Sequence, residues 1–323
     1  MKVALDGSPL AVSTGGIQRY TRQLQRALAA EFAEDRFELL EPGQGRWWSI
    51  GLPMALDAGD FSLFHGTDFA VPYLPAVPAV MTLHDLSPWK PDWASETSKR
   101  VRRRTPWLFR LGLVSMVITP TEAIRREAIE YFRLNPNDVR AVPHGIDERF
   151  RPVDDEAAPP KRYLLAVGTM GRRKNMQLAV AAARAAGVEL WIAGRGEWPT
   201  LSGVRNLGAV PDAELPGLYA RAIAVLFPSF YEGFGLPLLE AMACGAPVIA
   251  SKDAALVEVA GGAALHCGFD DSTQWAEAIR IVPDLRPEMA ARGRARAAEF
   301  TWARTARLTH EVYEEAICRR RAR

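Results

Sequence analysis

Two glutamates, Glu232 and Glu240, stand eight positions apart and bracket the loop Gly233-Phe234-Gly235-Leu236-Pro237. The glycines let a ligand approach the backbone closely. Pro237 sits where a helix starts, at a position that needs no donor. An apolar run before the loop and a helix after it make a ready anion site, because free N–H groups and the helix dipole point the same way. A carboxylate beside a phosphate is unfavourable. Glu232 on the loop rim and Glu240 about one turn into the helix are therefore expected to accept hydrogen bonds from sugar hydroxyls on either side of a diphosphate. The same spacing also fits a dipole-stabilising helix residue and a solvated loop residue. A second set is Arg172-Arg173-Lys174, three adjacent cations after the glycine loop Gly168–Gly171 and before a helix near Met176. Charge-assisted contacts to a diphosphate want this arrangement, although loop charges in water would look alike. A third is His84-Asp85, at the end of the apolar run 79–83, where parallel α/β sheets put ligands. Caps of a strand and a turn are the alternative there. No D-x-D cluster is present, and no Asp/Glu pair matches the two-carboxylate scheme of glycosidases. No metal and no cofactor are expected.

The elements that must hold these residues alternate. Apolar runs at 2–5, 37–40, 61–65, 79–83, 114–119 and 139–142 read as strands. A second series follows at 163–167, 188–193, 204–207, 222–227 and 248–250. Helical periodicity marks 18–32, with Leu24, Ala27, Leu28 and Phe32 on one face, and Thr121 is a candidate N-cap. Residues 275–282 and 287–300 read as two helices separated by prolines, and 301–318 as a last helix capped by Thr301. Residues 41–60 carry no clear period. This alternation predicts an α/β fold of two doubly wound parallel sheets. The charged, Pro-rich stretch 148–160 is the best linker, so domains are expected at 1–152 and 153–323.

The residues around the glutamates carry a resemblance. Pro228-Ser229-x-x-Glu232-Gly-Phe-Gly-Leu-Pro-x-Leu-Glu240-Ala-Met-Ala-x-Gly-x-Pro-Val-Ile249 resembles the E-x7-E motif of retaining glycosyltransferases of family GT4, which have the GT-B fold, two Rossmann-like domains facing a central cleft. Thr82-Leu83-His84-Asp85-Leu86 and Pro143-His144-Gly145-Ile146-Asp147 are similar to family segments of the first domain, with His144 in place of the usual Asn. The resemblance implies that Arg173 and Lys174 bind the donor diphosphate. The loop of Gly233, Phe234, Gly235 and Leu236 does so with them, and Gly15 and Gly16 face the phosphates from the first domain. It implies that His84 contacts the donor sugar at the reaction centre and that Val210 lies at the base. Glu232 is the second catalytic candidate, and Glu240 holds ribose or sugar. It implies that the last helix, 301–323, returns to the first domain. Leaving-group diphosphate departs, the acceptor attacks from the same face, and a phosphate oxygen takes its proton. Replacing Glu232 by Ala is expected to abolish transfer with little effect on stability.

Ile17-x-Arg19-Tyr20 together with His84-Asp85-Leu86-Ser87-Pro88 resembles mannosyltransferases using GDP-mannose in O-antigen or polysaccharide assembly. Pro88-Trp89-Lys90-Pro91 resembles their acceptor-side loop. UDP-glucose, UDP-GlcNAc or a rhamnose donor stays open, as do a nucleotide-sugar epimerase and an inactive binding protein of the same fold. The cluster Lys99-Arg-Val-Arg102-Arg103-Arg104, with apolar residues behind it, reads as a basic helix. It suits an anionic membrane surface, acceptor phosphate or simple solvation. The chain has 323 residues, 48% hydrophobic and 24% charged, with a net charge of +2. That is ordinary for a globular protein and gives no case for nucleic acid. Three cysteines without metal spacing suit a reducing compartment. The N-terminus shows no signal peptide, and no apolar run approaches the roughly 20 residues that span a bilayer. A cytoplasmic protein is expected, possible periphery to the inner membrane face included.

Overall fold

The computed structural model describes residues 1–12, 15–43, 45–94, 98–153, 163–169, 171–196 and 200–321. Contacts divide the chain into one unit of Met1–Gly145 with Thr301–Arg323 and another of Ile146–Phe300. The first unit holds six strands: β1 (Lys2–Asp6), β2 (Arg36–Leu40), β3 (Leu63–Gly66), β4 (Ala79–Thr82), β5 (Met116–Thr119) and β6 (Val139–Ala141). They pair in parallel in the order β2-β1-β3-β4-β5-β6. The second holds β7 (Tyr163–Val167), β8 (Glu189–Ala193), β9 (Val204–Gly208), β10 (Val225–Phe227), β11 (Val248–Ser251) and β12 (Leu265–Cys267). Their order, all parallel, is β12-β11-β10-β7-β8-β9. A parallel sheet covered on both faces needs apolar residues on both sides of each strand. Accordingly β3, β4, β5, β10 and β11 are buried throughout.

Strand order reverses between β1 and β3 in the first sheet and between β7 and β10 in the second. At such switch points the following helices leave on opposite faces and open a crevice beyond the carboxyl ends of the strands. The expected strands are present with ends shifted by a few residues, and β12, which is only three residues long, had no legible signal. Residues 41–60, without a period in the sequence, hold a π-helical turn at Trp47–Gly51 and a helix at Leu52–Ala58.

Two expectations are corrected. The division falls after Gly145, not after 152. Ile146 N–H donates to the Phe300 carbonyl at 3.0 Å, and Phe150 is buried in the core of the second unit, so this stretch already belongs to it. Of the expected linker 148–160, residues 154–160 lie outside the described residues. The helices expected at 275–282 and 287–300 are one helix, Ser272–Ala297, which carries Pro283 and Pro287 inside it. Both prolines are on its exposed side, and Trp275, Ile279, Val282 and Met289 bury the other side. The last helix, Trp302–Arg321, packs on the helix Gly16–Glu31, and its Ala306, Val312, Tyr313 and Ala316 join Val3, Leu5, Tyr20 and Leu24 in one core.

Candidate active site

In the second unit the switch point gathers charge. β7 ends at Val167, and the chain passes through Gly168 into a short 3-10 turn, Arg172–Lys174. Asn175 then opens the helix Met176–Ala186. β10 ends at Phe227 and leads to the loop that carries Glu232. Lys174 Nζ lies 2.6 Å from Glu232 Oε1, and Arg173 Nη1 lies 3.8 Å from Oε2. The two loops are tied by Phe230 N–H donating to the Arg173 carbonyl at 2.9 Å. Glu232 is therefore not a rim residue, and it is only 6% exposed. Burial pushes its carboxyl up, but Lys174 and Arg173 outweigh this and hold it below the usual carboxylate range. One carboxylate between two cations leaves a net positive charge, so the turn still attracts an anion after the ion pair has formed.

Gly235 caps the helix Leu236–Ala243 in the left-handed region, at φ 96°. A Cβ there would also sit 2.6 Å from Leu256 Cδ2. No other residue fits, on conformation and on space. Pro237 occupies the first turn of that helix. The Phe234 side chain turns inward, edge-on to Phe300 at 5.8 Å, so its part in a phosphate loop is left to its backbone. Glu240 is buried one turn into the helix, and Tyr219 Oη–H donates to its Oε2 at 3.0 Å. Val210 follows β9 and is half-buried against the core of this unit.

Three residues to which the sequence reading assigned no role, Ser229, Ser251 and Asp253, brace this loop. Ser229 hydrogen-bonds Glu232. Ser251, at the end of β11, donates through Oγ to the Ser229 carbonyl at 2.6 Å. Asp253 accepts from the Ala255 and Leu256 amides at 3.1 Å and caps the helix Ala254–Ala260. Burial, with Glu232 nearby, pushes the Asp253 carboxyl up to about 6. Tyr219 could not be found, because only the packing of two helices brings it to Glu240.

In the first unit Gly15 and Gly16 are exposed, and Gly15, at φ 119°, caps the helix Gly16–Glu31 without any side-chain hydrogen bond. A Cβ at either glycine would meet nothing within 4 Å. That helix carries Tyr20, whose ring lies edge-on to His84 at 4.9 Å. Tyr20 itself is buried, and its hydroxyl is 3.0 Å from Thr82 Oγ1, which makes it a core residue. His84 Nε2 is 2.8 Å from the Thr67 carbonyl. A carbonyl only accepts, so Nε2 carries the proton and Nδ1 keeps its lone pair. Burial lowers the His84 pKa, which keeps the ring neutral. His144 stacks on Trp302 and lies 5.6 Å from His84. Asp85 accepts from the Ser87 amide and hydroxyl at 2.8 and 2.6 Å, as a turn-capping residue does. Trp89, in the expected acceptor loop, is buried against Phe69 and Phe132.

The basic cluster does not share one face. The helix Lys99–Arg110 exposes Arg100, Arg103, Trp107 and Arg110, while Arg102 is half-buried. Arg104 turns inward, its guanidinium 4.8 Å above the Trp48 ring, so a solvated or membrane-facing role for Arg104 is corrected. Among the described residues no helix is long and apolar enough to cross a membrane.

Residues 14–150 match the family described as Glycosyltransferase Family 4, and residues 161–282 match Glycosyl transferases group 1. The chain is 30% identical over 314 residues to the O-antigen chain mannosyltransferase B of Escherichia coli, covering 87% of this chain and 79% of that one. It is 31% identical over 280 residues to a D-inositol 3-phosphate glycosyltransferase of Corynebacterium jeikeium, covering 74% and 67%. Among solved structures, a sucrose-phosphate synthase from Thermosynechococcus elongatus superposes with a TM-score of 0.79 at 22% identity, covering 98% of this chain and 99% of that one. Anabaena HepE, in complex with UDP and glucose, gives a TM-score of 0.73 at 17% identity, covering 98% and 100%. These two likenesses establish the glycosyltransferase fold of two parallel-sheet units.

Proposed function

The chain belongs to glycosyltransferase family 4, and we propose that it transfers mannose from GDP-mannose, with retention, to a glycan or lipid-linked acceptor in the assembly of an O-antigen-like polysaccharide. One observation carries the reading: a Lys174–Glu232–Arg173 cluster stands at the switch point of the second sheet, and Glu232 shares its loop with the glycine-capped helix N-terminus at Gly235. Arg173 and Lys174 neutralise the departing diphosphate, together with the backbone of Gly233, Phe234, Gly235 and Leu236, and with Gly15 and Gly16. Charge stabilisation at the leaving group is a large share of the barrier in such a displacement. Glu232 orients Lys174 and receives sugar hydroxyls. Glu240, fixed by Tyr219, receives the ribose or the sugar. Val210 contacts the base. Neutral His84 accepts a sugar hydroxyl at Nδ1. The acceptor hydroxyl attacks from the face that the phosphate leaves, and a phosphate oxygen takes its proton. No metal takes part.

The mannose choice draws support from the similarity to the E. coli mannosyltransferase, while the similarity to a D-inositol 3-phosphate glycosyltransferase keeps other glycosyl transfers in view. The exposed face of Arg100, Arg103, Trp107 and Arg110 supports peripheral contact with an anionic membrane. The deciding experiment is calorimetric titration with GDP, UDP, ADP and dTDP in EDTA. Preferential binding of GDP is expected. Preference for UDP or dTDP would overturn the mannose donor, and binding only after Mg²⁺ is restored would overturn metal independence. For the membrane, co-sedimentation with phosphatidylglycerol vesicles is expected to be lost in Arg100→Glu/Arg103→Glu, and its survival would remove that contact.

A further inference from the structure

The loop that carries Glu232 is gripped at Ser229, Glu232 and Gly235, and all three grips come from the stretch 251–256. Ser251 Oγ–H donates to the Ser229 carbonyl at 2.6 Å. The Glu232 amide hydrogen-bonds the Asp253 carboxylate. Leu256 Cδ2 lies so close to Gly235 that a Cβ there would be 2.6 Å from it. The helix that starts on this stretch, Ala254–Ala260, is fixed at its far end as well. Arg296 donates to the Val259 and Glu258 carbonyls at 2.9 and 2.8 Å, and Arg292 donates to that of Gly262.

Asp253 is the middle of this grip, and capping does not account for it. Its Oδ1 accepts from the Ala255 and Leu256 amides at 3.1 Å each. Asp271 caps the helix Ser272–Ala297 with the same pattern, Oδ1 accepting from the Thr273 and Gln274 amides at 3.1 and 3.0 Å, and it stays exposed. Asp253 is 7% exposed. Burial and the charge of Glu232 beside it both disfavour its ionised form. Lys174 and Arg173 turn to Glu232, and Lys252 is exposed, so the partners of Asp253 are amides. A serine would cap this helix as well without bringing a charge. What serine lacks is capacity, because a carboxylate offers about four acceptor sites on two oxygens and a hydroxyl only half of that. The two cap amides fill Oδ1, which leaves the second oxygen for the amide of Glu232.

We propose that Asp253 is a positioning residue for donor binding, tying the Glu232 amide to the N-terminus of the helix Ala254–Ala260. The tie fixes the backbone from which the Glu232 side chain reaches Lys174 and from which the amides of Gly233 to Leu236 meet the diphosphate. Asp253 acts through Glu232, not by contact with sugar or phosphate. The proposal rests on the donor-site reading above and deepens it. The anion site is shaped by the segment after β11 as well as by the loops after β7 and β10.

Asp253→Asn and Asp253→Ser separate the tie from the cap. Both residues cap helices well. The asparagine, its oxygen kept by the cap, turns its NH2 toward the Glu232 N–H, donor against donor, and serine has no second oxygen. The full chain is titrated with GDP and with UDP by calorimetry, and its amide hydrogen exchange is followed by NMR. In the wild type the amides of Glu232, Ala255 and Leu256 are expected to be protected. In both variants Ala255 and Leu256 should stay protected, while Glu232 exchanges at least tenfold faster. The Kd of the nucleotide that the wild type binds should rise tenfold or more. Asp271→Ala removes a cap from the same unit and should leave that Kd within twofold, because lost stability alone does not move it. A Kd within twofold of wild type in both Asp253 variants would overturn the proposal. So would a Glu232 amide that stays protected in both, or protection lost at Ala255 and Leu256 together with Glu232, which would reduce Asp253 to a cap. A wild type that prefers UDP, and binds it tenfold more weakly in the same variants, would instead overturn the GDP-mannose donor and leave the role of Asp253 standing. A wild type that binds neither nucleotide would overturn the donor site and this role with it.

Discussion

Glu232 shows how burial changes the meaning of a residue. Read as a loop carboxylate, it should be removable with little structural effect. Buried between Lys174 and Arg173, it is part of the fold of the loop. Breaking a buried pair by removing one partner costs about 3–5 kcal/mol. Both cations keep some access to water, so Glu232→Ala is expected near the lower end, a loss of roughly 3 kcal/mol in urea unfolding, along with loss of transfer. A variant as stable as wild type would remove the ion pair from the stability of the loop. His65 sets a pH dependence. It lies between Tyr313 Oη at 2.6 Å and Thr82 Oγ1 at 2.8 Å, and burial lowers its pKa to about 3. The folded state keeps it neutral, while the unfolded chain protonates it near 6.5, so its stabilising share is whole above 6.5 and is lost as pH falls towards 3. Between pH 7 and pH 5 the loss amounts to about 2 kcal/mol. Asp68 has the opposite sign, because its raised pKa makes it less favourable as pH climbs from 4 to 7. Comparing wild type with His65→Gln therefore isolates the histidine, and the variant should show a smaller acid loss by about that amount.

At the scale of elements, the helix Leu236–Ala243 owes its entry angle to one glycine. Gly235→Ala adds a Cβ at a left-handed φ and drives it against Leu256. Backbone strain of this kind costs about 1–3 kcal/mol. The expected result is a destabilised second unit and at least a tenfold weaker Kd for GDP in calorimetry, since the loop amides move with the cap. Unchanged GDP affinity would take this helix N-terminus out of the donor site. The helix Ser272–Ala297 makes the converse point. A proline inside a helix removes a hydrogen bond and costs about 3 kcal/mol, which is why periodicity alone splits this segment in two. Packing against the helices Met176–Ala186 and Leu236–Ala243 holds it continuous.

On the scale of the whole molecule, the first unit is not contiguous in the chain. Its core is completed by Ala306, Val312, Tyr313 and Ala316, which follow the entire second unit in sequence. Tyr313 is fully buried and supplies one of the two partners of His65. Deleting residues 301–323 is expected to unfold the first unit, whose strands β4 and β5 lose the helix that covers them. Each buried Leu-sized or larger side chain exposed or lost costs about 2–5 kcal/mol, enough together to exceed the stability of an ordinary domain. Hydrogen exchange would check this. Protection should vanish in β1, β3, β4 and β5 and persist in β7, β8, β10 and β11. Retained protection in the first sheet would show that the last helix is dispensable.

Several features were legible in the amino acids alone because they depend on local chemistry. Apolar runs divided by glycine and helical periods specify a parallel α/β fold. Gly235 and Pro237 specify a helix start, and the spacing of Glu232, Glu240, Arg173 and Lys174 carries the family. Others depend on which distant surfaces meet. The sequence does not say that Glu232 pairs with Lys174, because those residues lie in loops after two different strands and only the sheet order β10-β7 makes the loops neighbours. The basic run around Arg104 likewise has one period and one charge. Only the packing of its helix sends Arg103 to water and Arg104 over Trp48. Tyr219 beside Glu240, and the burial of Asp68 Oδ1, follow from the same cause. Burial and partnership are properties of the packed chain, and they determine whether a charged residue is a solvated ornament, a strut or part of a site.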